Sequence, residues 1–155
     1  MRALLDTSVL IGEQPPPDVE AAISVASLAE LHFGVLVADD DDERALRTQR
    51  LGAIESAFDP LPVSVDVARE WGRLAAAVTN RGGQPRRRAI DLALAATANV
   101  HGVPLVTHNT GDFQIIGDLS DVRDPSALQP PQQSPESKPA VPPVSNEEQE
   151  EPPTT

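Results

Sequence analysis

Apolar and polar positions along the chain follow two alternating patterns. Short apolar runs bounded by polar or turn-forming residues predict buried strands, and longer stretches with apolar positions three or four residues apart predict helices. Val67, Trp71, Leu74 and Val78, for example, share one face of a predicted helix. The predicted strands are residues 3–5, 22–25, 61–65, 103–107 and, more weakly, 119–122. The predicted helices are residues 27–37, 39–58, 67–78 and 88–101.

This alternation of strands and helices predicts the fold class. Strands that alternate with helices favour an α/β domain, in which helices cover both faces of a mostly parallel sheet. The acidic run at 39–43 is typical of a first helical turn, because carboxylates there face the positive end of the helix dipole. Gly102 marks the end of the last long helix, and residues 80–85 are typical of a loop.

The composition changes sharply after Leu128. Residues 129–155 contain eight of the sixteen prolines, five Glu and one Lys, with few apolar residues. Such a segment buries too little surface to offset its ordering entropy, so we predict a disordered acidic tail after a single domain at 1–128. The tail carries a net charge of −4, which leaves −8 of the total −12 on the domain.

Residue content limits the possible chemistry. The chain has no Cys, and its three His lack a paired spacing, so any bound metal is expected to be held by oxygen, which favours Mg²⁺ or Mn²⁺. The charge of −12 argues against nucleic-acid binding by bulk electrostatics. No apolar run of membrane-spanning length or secretory leader is apparent, so a cytoplasmic protein is expected.

Three acids stand in otherwise uncharged surroundings, and a fourth, Asp91, follows the basic run at 86–88 and begins a long uncharged segment. Asp6 and Asp112 follow predicted strands, Glu30 lies inside a predicted helix, and Asp91 lies at the start of another. Each alone has a structural explanation, as a strand-end cap, a turn residue, the wet side of a helix or a helix N-terminal acid. Their recurrence at equivalent element ends favours a shared site at the carboxyl edge of the sheet. Carboxylates gathered there would repel each other unless a divalent cation neutralised them.

Three segments carry a family resemblance when they are taken in order. They are LLDTSVLI at 4–11, ISVASLAELHFG at 23–34 and AIDLALAATANVHGVPLVTHNTGDF at 89–113. Together they resemble the PIN-domain ribonucleases, and in particular the VapC toxins of bacterial toxin–antitoxin pairs. The resemblance covers most of residues 1–128. It implies a PIN-like three-layer sandwich and a Mg²⁺-dependent endoribonuclease, with Mn²⁺ as a possible substitute, that hydrolyses RNA phosphodiester bonds.

The resemblance also implies roles for individual residues. The family's catalytic acids, here called the acidic quartet, fall on Asp6, Glu30, Asp91 and Asp112. Asp6 and Asp91 match the most direct metal ligands, and Glu30 or Asp112 would accept a proton from the attacking water. Polar residues that would orient the carboxylates or hold waters are Thr7, Ser8, Thr107 and Asn109.

Partners follow from the same resemblance, which implies a small VapB-like antitoxin that blocks the cleft and homodimerisation through helices. The segment between Asp6 and Glu30 is shorter than in the family and has prolines at 15–17, in a region that usually helps to form the partner groove.

The basic run Arg86, Arg87 and Arg88 has two interpretations. It contacts RNA phosphates, or it is a solvated helix start or the partner of the acids at 39–43.

Two other classes of protein remain to be weighed. Phosphotransfer enzymes with an aspartyl nucleophile share the LLDTS start, but they need a lysine in the site, and the sole lysine is Lys138 in the tail. The haloacid-dehalogenase type also expects an acid where Ser8 stands. A catalytically inactive PIN-like module that sequesters a protein partner is the non-enzymatic alternative, and metal binding separates it from the nuclease.

Overall fold

The computed structural model describes residues 1–12 and 18–128. Within these ranges, four strands form one sheet in the order β2-β1-β3-β4, and every pair is parallel. The predicted α/β class with a mostly parallel sheet is therefore confirmed. Because β1 is a central strand, the residue that follows it lies in the middle of the carboxyl edge. The strands are β1 (Arg2–Leu5), β2 (Glu20–Ala22), β3 (Leu105–Val106) and β4 (Val122–Arg123).

Helices flank this sheet, and most of their ends carry a recognisable local signal. The side chains of Ser24, Asp40 and Ser64 accept backbone N–H bonds at three N-termini. Gly102 ends the last long helix with a φ of 63°, a left-handed conformation that suits glycine. The α-helices are α1 (Thr7–Leu10), α2 (Val25–Leu36), α3 (Asp41–Ala57), α4 (Val65–Asn80) and α5 (Ala89–His101). Shorter 3-10 helices span Pro85–Arg88, Thr110–Ile116 and Pro125–Leu128.

The main core lies between the sheet and the pair α4 and α5. Every residue of α5 from Leu92 to Ala98 is buried, and Leu4 of β1 packs into the same cluster. The predicted apolar face of α4 is confirmed, because its Val and Leu positions are buried and Trp71 packs against them. Alternate strand residues face the other way, where Leu5 and Val106 pack with Val9 of α1. The buried helix α5 therefore packs directly against one face of the sheet.

Several predicted strand boundaries were wrong, and serine caps of the following helices explain two of them. The strand expected at 22–25 ends at Ala22, because Ser24 caps α2. The strand expected at 61–65 is reduced to a single bridge between Leu61 and Ser24, since Ser64 caps α4. The strand expected at 103–107 pairs only at β3, and the weak one at 119–122 forms at β4 instead.

Four short helical elements were not predicted, among them the 3-10 helices Pro85–Arg88 and Pro125–Leu128. Thr7–Leu10 forms one helical turn directly after β1, and Thr110–Ile116 forms a 3-10 helix where only a polar turn was expected. The prolines at 15–17 and the predicted tail at 129–155 lie outside the described residues, so the domain boundary at 128 stays a prediction. No helix in the described ranges is long and apolar enough to cross a membrane.

Candidate active site

Asp6 stands at the carboxyl end of the central strand, and its side chain is held by three donors. The backbone N–H of Thr7 donates to Oδ1 at 2.7 Å. The hydroxyls of Ser8 and Thr107 donate to Oδ2 at 2.9 and 2.7 Å. Asp6 is only 7% exposed, so these bonds replace the water that burial removes. The carboxylate is therefore fixed in position before any ligand binds.

Thr107 reaches Asp6 because β1 and β3 are neighbours in the sheet. The Asp6 backbone N–H donates to the Val106 carbonyl at 2.9 Å, which aligns the two strand ends. The backbone N–H of Asn109 then donates to the Thr107 hydroxyl at 3.0 Å. Three of the four predicted supporting residues contact the acidic quartet through their side-chain hydroxyls, namely Thr7, Ser8 and Thr107. Asn109 takes part through its backbone, and its side chain bonds to no described residue.

Glu30 is linked to the same strand end through Thr7. It lies on α2, which follows β2 at the edge of the sheet. The Thr7 hydroxyl donates to Glu30 Oε2 at 2.6 Å, across 23 residues of sequence. Because Thr7 follows Asp6 directly in the chain, this bond links Glu30 to Asp6.

Asp91 and Asp112 form the other side of the quartet. Asp91 lies in the first turn of α5 and is half-buried, whereas Asp112 is exposed on the 3-10 helix Thr110–Ile116. Both line a cavity of about 380 Å³, here called the Asp91 cleft. The full lining is Gly83, Gln84, Arg87, Arg88, Asp91 and Asp112.

The electrostatics of Asp91 connect all four acids. Burial, and then the negative charges of Asp6, Asp112 and Glu30 in that order, together raise the pKa of Asp91 from 3.8 to about 6. Arg88 opposes the shift. The four acids predicted to share a site are therefore close enough for the charges of three of them to act on Asp91. Such a cluster favours a bound cation, which would stabilise the charged form of Asp91.

The donor set suits a hard divalent ion, because it offers carboxylate and hydroxyl oxygens without thiolate or imidazole. Among residues 1–12 and 18–128, no three His, Asp or Glu side chains are already arranged as a metal cage. The quartet therefore interacts through its charges without forming a closed ligand set.

The three predicted arginines separate into different environments. Arg88 donates to the backbone carbonyl of Asp112, and Arg87 lines the Asp91 cleft without a hydrogen bond from its side chain to any described residue. Arg86 is exposed and lies outside that lining. The suggested pairing of this run with the acids at 39–43 was wrong, since no arginine of the run forms an ion pair with a described acid. Asp41 and Glu43 pair instead with Arg44 and Arg47 of their own helix.

Two basic residues near the quartet, Arg47 and Arg50, were missed from the sequence. Arg50 of α3 lines a second, smaller cavity of about 130 Å³, here called the Glu30 cleft. Arg47 and Arg50 are three residues apart and so share a helix face, a spacing that could have drawn attention to them. What the sequence did not reveal is that this face of α3 turns towards Glu30. The full lining is Thr7, Ile11, Glu30, Leu31, Arg47 and Arg50.

Comparison with known proteins agrees with this geometry. The PIN domain family pattern matches residues 3–119. Ribonuclease VapC5 of Mycobacterium tuberculosis is 36% identical over 128 residues, covering 77% of this chain and 90% of that protein. Ribonuclease VapC4 of the same organism is 33% identical over 125 residues, covering 76% and 93%.

Solved structures point the same way. VapBC-5 from Mycobacterium tuberculosis, a member of the VapBC family of toxin–antitoxin systems, superposes with a TM-score of 0.68. Its sequence identity is 35%, and the match covers 79% of this chain and 96% of that chain. Fold, family pattern and relatives together identify the chain as a member of the PIN-domain family and, within it, of the VapC ribonucleases.

Proposed function

We propose that this chain is the toxin of a VapBC-type toxin–antitoxin pair, a Mg²⁺-dependent endoribonuclease that uses the acidic quartet. The observation that carries the proposal is the convergence of four carboxylates from four separate elements at one sheet edge. Asp6 and Thr107 are joined by a hydrogen bond, Glu30 is joined to Thr7, and Asp91 shares a cleft with Asp112. Oxygen-only donors favour Mg²⁺, with Mn²⁺ as an accepted substitute.

Asp6 and Asp91 are the residues that we assign as direct ligands of the ion. When bound, a divalent ion supplies positive charge for the scissile phosphate and makes a nearby water more acidic. Asp6 is held rigid by its three donors, so it sets the position of the site. The supporting roles of Thr7, Ser8 and Thr107 are to orient Asp6 and Glu30, and Asn109 holds Thr107 through its backbone N–H.

Hydrolysis also needs a base for the proton of the attacking water. Glu30 and Asp112 are the two remaining carboxylates of the quartet, and we assign this role to one of them. Glu30 keeps one oxygen bonded to the Thr7 hydroxyl, which leaves its other oxygen to accept a proton. Asp112 is exposed, and its peptide carbonyl is held by Arg88.

The principal test compares Asp6→Asn with Asp66→Asn, a matched change at an exposed acid of α4 that pairs with Arg69. Each purified protein is incubated with RNA in Mg²⁺ and in EDTA, and the cleaved ends are sequenced. We expect cutting by the parent and by Asp66→Asn in Mg²⁺, and none by Asp6→Asn although its melting curve remains cooperative. Undiminished cutting by Asp6→Asn would refute the assignment.

The same measurements separate the nuclease from an inactive binding module. A titration with Mg²⁺ should raise the melting temperature of the parent and not that of Asp6→Asn, whereas a module without catalysis has no reason to hold the ion. DNA of the same base sequence serves as a second substrate, and we expect it to resist cutting. Equal cutting of DNA would contradict the assignment to RNA.

For partners, we propose a VapB-like antitoxin and a homodimer. The antitoxin proposal is supported by the similarity to VapBC-5, a member of a toxin–antitoxin family. Co-expression with the product of a neighbouring gene should yield a complex in which RNA cutting is suppressed. Light scattering on the isolated chain measures its oligomeric state, and a monomeric mass at micromolar concentration would contradict the homodimer.

A further inference from the structure

We propose that Arg87 and Arg50 bind two phosphates of one single-stranded RNA that lies across the acidic quartet, one in the Asp91 cleft and one in the Glu30 cleft. This inference rests on the proposed function, since it specifies how the same site holds its substrate. It assigns a binding role to Arg50, a residue of α3 without any role so far, and it selects Arg87 from the basic run at 86–88.

The Asp91 cleft holds one arginine that is available to a ligand. Arg88 is committed to the carbonyl of Asp112, so it shapes the wall of the cleft. Arg87 lines the same cleft and makes no side-chain hydrogen bond or ion pair with a described residue. A guanidinium group in this position offers a fork of N–H donors that matches the oxygens of a phosphate.

The Glu30 cleft repeats this division between a committed and an available arginine. Arg47 bonds to Glu43 and, through Nη1, to the carbonyl of Gly34 at 2.6 Å, which ties α3 to α2. Arg50, one turn further along α3, is half-buried in the cleft lining and makes no side-chain hydrogen bond or ion pair with a described residue. It therefore also presents unused donors beside a member of the quartet.

The two clefts border the quartet without sharing a lining residue. Glu30 and Thr7 belong to one, and Asp91 and Asp112 to the other. Asp6 is linked to the first group because Thr7, which follows it directly, donates its hydroxyl to Glu30. It is linked to the second through Thr107, whose hydroxyl donates to Asp6 and accepts the Asn109 N–H, while the Asn109 carbonyl accepts the Asp112 N–H. An RNA strand whose scissile phosphate sits at Asp6 and Asp91 would extend flanking phosphates towards both clefts.

Charge makes these two arginines important. Residues 1–128 carry a net charge of −8, and an acidic surface repels RNA over most of its area. Affinity must then come from a small number of local phosphate contacts. Single-stranded RNA fits this requirement better than a duplex, because its flexible backbone can follow two separate clefts.

The test measures binding of a fluorescein-labelled single-stranded RNA of about twelve nucleotides by anisotropy over a range of salt concentrations. The protein is the full chain carrying Asp6→Asn, so that cleavage does not interfere. Arg50→Gln and Arg87→Gln are compared with matched controls on the same two elements. The controls are Arg44→Gln of α3, which faces Asp41, and Arg86→Gln, which lies outside the cleft lining.

Each cleft variant should weaken binding roughly tenfold, and the controls should change it much less. The slope of log affinity against log salt should fall by about 0.7 for each lost phosphate contact, and the double variant should lose both. Affinity and slope equal to those of the controls for either variant would overturn the proposal. Loss of binding in the controls as large as in the cleft variants would also overturn it, since the effect would then be bulk charge.

Cleavage by the parent and by the arginine variants is measured separately over a range of RNA concentrations that reaches saturation. We expect KM to rise and kcat to change little, because both arginines contact phosphates away from the reacting one. If the parent binds RNA through Arg50 and Arg87 but does not cut it, the nuclease proposal fails, and the proposed phosphate contacts of the two arginines stand. If the parent cuts RNA with no dependence on either arginine, the reverse holds.

Discussion

The two sides of the acidic quartet hold their negative charge in opposite ways. On the strand side, Asp6 is nearly buried and accepts three hydrogen bonds, two of them from the hydroxyls of Ser8 and Thr107. On the helix side, Asp91 is half-buried, accepts no hydrogen bond from a described residue, and has its pKa raised to about 6 by burial and by the other acids. The carboxylate of Asp6 is fixed by hydrogen bonds, whereas the charged form of the Asp91 carboxylate is destabilised by its surroundings.

This difference indicates a division of labour within the site. A rigid, fully bonded carboxylate defines where a cation would sit, because its oxygens do not need to move. A carboxylate whose charge is disfavoured gains most from a cation, since binding removes the repulsion that raised its pKa. Variants that alter one side at a time test this division.

The largest effect is expected from Asp91→Asn, which removes the strained charge. Cleavage of RNA in Mg²⁺ should fall roughly a hundredfold or more, because the assigned ion loses a direct ligand. The rise in melting temperature caused by Mg²⁺ should shrink in parallel. Cleavage assays and thermal melts with and without EDTA measure both. Full Mg²⁺ stabilisation of this variant would show that Asp91 is not a ligand.

On the strand side, Thr107→Val removes one donor to Asp6 while keeping the shape of the side chain. We expect activity to fall about 10- to 100-fold, as for other residues that orient metal ligands. Thr97→Val is the matched control, because Thr97 is equally buried but donates to the Ala93 carbonyl within α5. A similar loss of activity in both variants would mean that general destabilisation, and not the bond to Asp6, is responsible.

Gly83→Ala should disturb the helix side alone. A Cβ at Gly83 would lie 2.6 Å from Ile115 Cδ1 and 2.7 Å from Val78 Cγ1, so the loop beside Asp91 must shift. The expected cost in the free energy of unfolding is about 1–3 kcal/mol. Gly72→Ala, in the middle of α4 with nothing within 4 Å, should instead stabilise by up to about 1 kcal/mol. Denaturant titrations compare the two, and an unchanged midpoint for Gly83→Ala would contradict the clash.

The smallest effect concerns the pH dependence of stability in EDTA. The folded pKa of Asp91, about 6, lies above its ordinary value of 3.8, so the folded state binds the proton more tightly. Ionisation of Asp91 therefore costs stability as the pH rises from about 4 to about 6, and the cost is complete above that range. Asp91→Asn should gain stability over the parent across the same window. A difference between the two proteins that does not change with pH would contradict the raised pKa.

Much of the site was predictable because its acids are isolated in apolar segments. Asp6 and Asp91 lie where the sequence placed them, at a strand end and in a first helical turn. The structural setting of Asp112 was not predicted, because it lies on a 3-10 helix and a short polar sequence does not distinguish such a helix from a turn. Arg50 escaped notice, since nothing local distinguishes it from Arg44, which faces solvent on the same helix. Disorder of the tail at 129–155 stays a prediction, because that segment lies outside the described residues.

The sequence by itself determined the types of element and many of their ends, because periodicity, serine caps and the helix-ending Gly102 act over a few residues. Only the tertiary structure decided the strand order, which depends on packing between distant segments. That order brings Thr107 to Asp6 across 101 residues and lets the other three acids raise the pKa of Asp91. Electrostatic coupling depends on distance in space, so the chain had to fold before the acids became a site.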